Sequence, residues 1–187
     1  FFFFFFFFLF FSVPRLVEAL GGKKIHQVTC GSYHTAAVSQ NGELFTWGGG
    51  MYGKLGHGDE NGHAVPVQVS ALSNVIVIQV ACGSRHTVVL TQSQEVYAWG
   101  DKENGVSGHS AIETEGHQYA PRVVSGLRGV HCTQVAACGF HTAALTQAGK
   151  NLMYFLFLNN IFFFELTLTF FVFVVVDILL VQHYLQR

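Results

Sequence analysis

Short apolar stretches alternate with Gly-rich and polar turns through the middle of the chain, and each reads as a strand. Residues 25–30 form a β-rich segment. Residues 35–39 and 43–47 flank Asn41-Gly42, a hairpin signal because both turn positions are expected to need positive φ. A second set pairs residues 87–91 with 95–99 around Ser93-Gln94, a weaker turn at the same offset. Residues 65–69 and 122–125 supply a fourth strand, each beside a proline. Proline lacks a ladder donor, so it suits a strand start or an edge. No long segment shows a clean 3.6-residue apolar rhythm, so no long helix is predicted.

The strands recur with a fixed beat. Val28-Thr29-Cys30-Gly31-Ser32-Tyr33-His34-Thr35 returns as Val80-Ala81-Cys82-Gly83-Ser84-Arg85-His86-Thr87. It returns again as Val135-Ala136-Ala137-Cys138-Gly139-Phe140-His141-Thr142. The histidines are 52 and 55 residues apart, Pro14, Pro66 and Pro121 keep the same two intervals, and Trp47 and Trp99 are 52 apart. By this alignment Tyr154 takes the Trp position in the third copy, Cys138 stands where Gly31 and Gly83 stand, and Ala137 replaces Cys30 and Cys82.

Four short strands in a unit of about 40–55 residues is the arithmetic of a propeller blade. The predicted fold class is all-β: a partial β-propeller of four-stranded blades. The units are 12–65, 66–120 and a truncated 121–150. Gly31, Gly83, Gly48 and Gly100 fit tight passages between strands. Blades bury their faces against neighbours, so a partial array leaves two open faces. Marginal stability for the chain alone, and a longer native product, are therefore expected.

Composition separates this middle from two tails. Of 20 Phe, 10 lie in residues 1–11 and 8 in residues 151–187, whereas all 20 Gly, 3 Pro and 4 Cys lie between. Residues 12–150 carry 9 Lys/Arg and 9 Asp/Glu, which argues against a nucleic-acid surface. The poly-Phe start lacks the basic region and cleavage site of a signal peptide. In the C-terminal tail the run between Glu165 and Asp177 is only 11 residues, short of the roughly 20 a spanning helix needs. Both tails read as T-rich non-coding sequence translated in frame. A membrane association applies only if the C-terminal tail is a real part of the product.

The quoted repeats, with residues 95–100 and Tyr52-Gly53-Lys54-Leu55-Gly56-His57-Gly58, resemble the regulator-of-chromosome-condensation repeats over roughly residues 12–150. The resemblance implies a seven-bladed propeller, of which this chain holds about two and a half repeats. It also implies two sharper roles: a guanine-nucleotide exchange factor for a small GTPase, or the repeat region of a HECT-type ubiquitin ligase or other multidomain scaffold. The second interblade loop, Asn104-Gly105-Val106-Ser107-Gly108-His109, lacks the Lys-Leu pair, so its surface is not expected to share a ligand with the first.

Candidate chemistry is sparse. Cys30-x3-His34 and Cys82-x3-His86 look like metal half-sites, but they sit one period apart and the third copy loses its Cys position. Recurrence favours a structural His34, His86 and His141 whose nitrogens bond nearby backbone, with the four Cys as reduced buried thiols. Gly53-Lys54 is followed by Leu55, not Ser or Thr, so no phosphate loop is read. No Gly-x-Ser-x-Gly elbow occurs. No catalytic, metal or cofactor site is assigned. The loops 50–64 and 101–120 vary most between copies, and rigid scaffolds carry recognition on such loops. Lys54, Asp59, Glu60, Asp101, Lys102, Glu103, Glu113 and Glu115 are the nominated protein-contact residues. The expected role is a non-catalytic protein-interaction module whose partner is another protein, such as a small GTPase or a ubiquitin-pathway component. The expected compartment is the cytoplasm, with the nucleus as the alternative.

Overall fold

The computed structural model describes residues 15–102, 106–109, 117–147 and the backbone of 151–154. The poly-Phe start, the apolar tail past residue 154, Glu103, Glu113 and Glu115 lie outside the described residues. Among the described residues no helix is long and apolar enough to cross a membrane.

Three antiparallel sheets follow one another. The first is β1 (Ile25–Cys30), β2 (His34–Ser39), β3 (Leu44–Gly48) and β4 (His63–Gln68), hydrogen-bonded in that order. The second repeats it with β5 (Val77–Cys82), β6 (His86–Thr91), β7 (Val96–Gly100) and β8 (Gln118–Val123). The third has β9 (Cys132–Cys138), β10 (His141–Thr146) and β11 (Asn151–Tyr154). The only helical elements among the described residues are single 3-10 turns such as Ser70–Leu72 and Ser125–Leu127, which connect one sheet to the next.

Register carries the repeat into space. Thr35 pairs with Trp47, Thr87 with Trp99 and Thr142 with Tyr154, so the third sheet continues past residue 150 and places Tyr154 at the Trp position. Cys30 faces Thr35, Cys82 faces Thr87 and Ala137 faces Thr142 across the ladders. Pro66 and Pro121 sit inside β4 and β8, not at their starts. Pairing shifts there, between Thr46 and Gly48 and between Ala98 and Gly100. Both strands are outermost in their sheets, where a missing N–H leaves no ladder partner unmet.

The hairpin turns differ from the expected two-residue form. Gly42 N donates to Ser39 O at 2.9 Å and Ser39 N to Glu43 O at 3.0 Å, so the loop holds three residues. Only Gly42 has positive φ, at 81°, and it follows an ordinary right-handed turn. In the second sheet Gln94 takes that position with φ 65°.

The sheets pack face to face. One core joins Ala36, Val38 and Leu44 to Val80, Val89 and Trp99; another joins Val88, Leu90 and Ala98 to Val135 and Ala144. Neighbours along β6 thus point to opposite cores, because successive side chains alternate across a strand. Each core valine withdrawn from water contributes about 2 kcal/mol.

Candidate functional site

The β1–β2, β5–β6 and β9–β10 loops and the two long β3–β4 and β7–β8 loops emerge at one end of the stack. His34 pairs with Gly48 and His86 with Gly100 at that end. The short loops touch in series: Ser32 Oγ donates to Ser84 Oγ at 3.0 Å, and Ser84 N to Gly139 O at 2.7 Å.

Arg85 is the centre of this face. Its guanidinium lies 4.5 Å from the Tyr52 ring and 5.3 Å from the Phe140 ring, within cation–π range. Each residue of this stack comes from a different repeat. Arg85 Nη1 also reaches Asp101 Oδ2 at 3.3 Å, and His117 Nδ1 lies 3.4 Å from Asp101 Oδ1. His117 meets Tyr52 edge-on at 5.0 Å and Tyr119 at 6.4 Å. Tyr52 adopts φ 66°, costly for an aromatic residue, and its N–H donates to Glu60 Oε1 at 3.1 Å. Around this cluster Tyr33 is 79%, Met51 62%, Phe140 37% and Tyr119 36% exposed.

The nominated charges divide. Asp59 and Glu60 are exposed; the Asp59 carboxylate accepts from Asn61 N at 2.9 Å and Nδ2 at 2.7 Å and closes the loop on itself. Lys54, Asp101 and Lys102 are buried. Lys54 is held below the ordinary lysine range by burial and, secondarily, by Arg85. Its Nζ lies 5.9 Å from the Tyr52 ring centroid. The exposed or cationic residues that the sequence reading passed over are Tyr33, Arg85 and Phe140. They occupy the position immediately before the recurrent His, which differs in all three copies, and that variation was the available signal.

Beneath this face the recurrent His acts between sheets, not on nearby backbone as expected. His34 Nε2 lies 2.9 Å from Thr87 Oγ1, and Thr87 Oγ1 donates to Lys54 O at 2.8 Å. With its one proton committed to that carbonyl, the hydroxyl accepts from an Nε2–H tautomer. His86 repeats this to Thr142 Oγ1 at 2.8 Å, and Thr142 donates to Val106 O at 2.7 Å. Val106 thus supplies the same acceptor as Lys54, because a backbone carbonyl is indifferent to the Lys-Leu pair that its loop lacks. Burial lowers the pKa of His34 and His86 to about 4, aided by Lys54 for the first and by His34 for the second. The ring folds over Gly83, where a Cβ would collide with it and would lie 2.9 Å from Gly139 O.

The cysteines are free, but Cys30 is exposed, which corrects the expectation that all four are buried. Burial pushes the Cys82 thiol up to about 12, so it is no nucleophile. Among the described residues no group of three His, Cys, Asp or Glu could hold a metal ion.

A row of antiparallel sheets packed face to face, two of them four-stranded, with its variable side chains on one loop face, defines a β-propeller segment of the repeat-scaffold class. The chain belongs to the Regulator of chromosome condensation (RCC1) repeat family, which matches residues 10–38, 41–90 and 94–145. It is 41% identical over 138 residues to E3 ubiquitin-protein ligase HERC2 of Mus musculus, covering 73% of this chain and 3% of that protein. The solved structure of human WBSCR16 superposes with TM-score 0.63 at 27% identity, over 71% of this chain and 33% of that one. Prp20p from Saccharomyces cerevisiae, whose crystal structure was described with its binding to Gsp1p and histones, gives 0.64 at 19% identity, over 75% and 37%. The chain thus spans well under half of the length of these relatives.

Proposed function

We propose that the chain is a non-catalytic protein-interaction module that contacts another protein through the loop face around Arg85. The observation that carries this reading is the stack of Tyr52, Arg85 and Phe140 across three repeats, with Tyr33 79% exposed on the β1–β2 loop. Aromatic and Arg anchors are the residue types that dominate binding energy at protein interfaces. Chemistry of its own is not needed: binding by loops on a rigid stack is enough.

A second reading, the repeat region of a ubiquitin-ligase scaffold, is favoured by the 41% identity to HERC2. An exchange factor for a small GTPase is the third; the 19% identity to Prp20p supports the fold alone. Titrating the chain against purified small GTPases and ubiquitin-pathway proteins tests all three. Binding weakened about tenfold or more by Arg85→Glu or Tyr33→Ala, with the fold intact, supports the loop face. Accelerated nucleotide release selects the exchange factor. A partner bound equally well by both variants overturns the assignment of this face.

A further inference from the structure

Lys54 is a buried cation beneath the loop face. It is 2% exposed, yet among the described residues no carboxylate stands within ion-pair distance of its Nζ. The nearby acids are committed elsewhere. Asp101 pairs with Arg85 and His117, and Glu60 Oε1 accepts the Tyr52 N–H from the exposed rim. Glu60 favours the charged lysine only through space, and Arg85 opposes it. Burying an ammonium without a partner costs stability that a neutral side chain of the same length would not cost.

The ammonium points outward. A Cβ on Gly49 would lie 3.7 Å from Nζ, and Gly49 is itself only half-buried. The same Cβ would lie 3.5 Å from the Cβ of Tyr33, the most exposed aromatic of this face. Nζ therefore ends one atomic layer below the surface, under a glycine that has no side chain to cover it. Tyr52 closes the other side, with Nζ 5.9 Å and the Arg85 guanidinium 4.5 Å from the same ring. The loop that bears Lys54 is pinned to the second sheet, where Gly58 N donates to Tyr119 O at 3.0 Å. Two cations thus converge on one opening, and contacts between the first two sheets set its shape.

We infer, on the reading that the loop face is the contact surface, that the opening between Tyr33, Gly49 and Tyr52 receives an aspartate or glutamate side chain of the protein partner, held by Lys54 and Arg85. An ammonium screened from water attracts a carboxylate more strongly than an exposed one does, and hydrogen bonds between two charged groups are the strong ones. Tyr33 is placed to exclude water from the pair once the partner seats.

Fluorescence polarisation of a fluorescein-labelled decaglutamate peptide, titrated with the full chain, tests this against a decaglutamine peptide. Decaglutamate should bind and decaglutamine should not. Two variants separate the opening from a general attraction of charge. Lys54→Met removes the ammonium and keeps its reach. Gly49→Leu caps the ammonium without changing the net charge, at a position where an added Cβ meets only ordinary contacts. Each should weaken decaglutamate binding about tenfold or more. Lys24→Gln, which removes an exposed lysine at the opposite end of the sheets, should leave it unchanged. Far-UV circular dichroism of each variant, unchanged from the parent, keeps the comparison valid. Equal affinity for the two peptides overturns the inference, and so does decaglutamate binding that neither Lys54→Met nor Gly49→Leu weakens. A phosphoserine peptide of the same length bound about tenfold more tightly than decaglutamate assigns the opening to phosphoryl groups and overturns it as well. The two readings fail separately. A protein partner weakened by Arg85→Glu and Tyr33→Ala, but by neither Lys54→Met nor Gly49→Leu, keeps the loop face and sinks the acid site.

Discussion

Mild acid attacks the sheet-to-sheet contacts before it reaches the carboxylates. His34 and His86 sit at about 4 in the folded chain, against 6.5 for an unperturbed imidazole. Between those values the unfolded chain binds protons that the folded chain refuses. Stability is therefore complete above pH 6.5 and is lost as the pH falls toward 4. At pH 5 each imidazole costs about 2 kcal/mol by linkage, so the pair removes about 4 kcal/mol. That is a large part of the 5–15 kcal/mol typical of a folded domain. Burial also lowers His57 and His141, and they act in the same direction. Glu43 and Asp59, whose pKa values lie below 4.5 and 3.8, take up protons only at lower pH. Urea titration followed by tryptophan fluorescence at pH 7.5, 6.5, 5.5 and 5.0 should show the midpoint falling at constant slope. His86→Gln should remove roughly half of that dependence. A midpoint that stays level or rises from pH 7.5 to 5.0 refutes the burial of neutral imidazoles between the sheets.

Other expectations concern single positions. Gly83→Ala forces the His86 ring off Thr142 and should lower stability by about 2–3 kcal/mol in the same urea titration. Gln94→Gly relieves a non-glycine residue at φ 65° and should raise stability by up to about 1 kcal/mol, read as a higher urea midpoint. Trp99→Phe deletes the Nε1 bond to Lys54 O inside the core and should cost at least 1 kcal/mol. Trp47→Phe, at the half-buried equivalent position, should cost less, and a calorimetric melt of both variants compares them.

The intervals of 52 and 55 residues made the repeating sheets, the places of their turns though not the turn type, and the equivalence of Tyr154 with Trp47 readable without coordinates. Alternation and periodicity are local properties, so each strand announces itself. The recurrent His and Trp were legible as architecture, but their partners were not. His34 bonds a residue 53 positions away and Trp99 a carbonyl 45 positions away. Gln27 and Gln79 kept the same beat and were passed over, because a lone Gln has no chemistry that draws notice until its amide is seen bonded to the backbone of Val80 or Val135 on the next sheet.

Charge in a variable loop does not mark which side chains are exposed on the loop face. Lys54, Asp101 and Lys102 turn inward where the long loops fold over the neighbouring sheet, whereas Tyr33, Arg85 and Phe140 come forward on loops too short to bury them. By itself the sequence determined the strands, their order and their repetition, since these follow from side-chain alternation and turn residues within a few positions. Only the tertiary structure decided which equivalent residues are buried. Val28 and Val80 share one motif, yet exposure depends on whether another sheet lies alongside, and no local pattern records that.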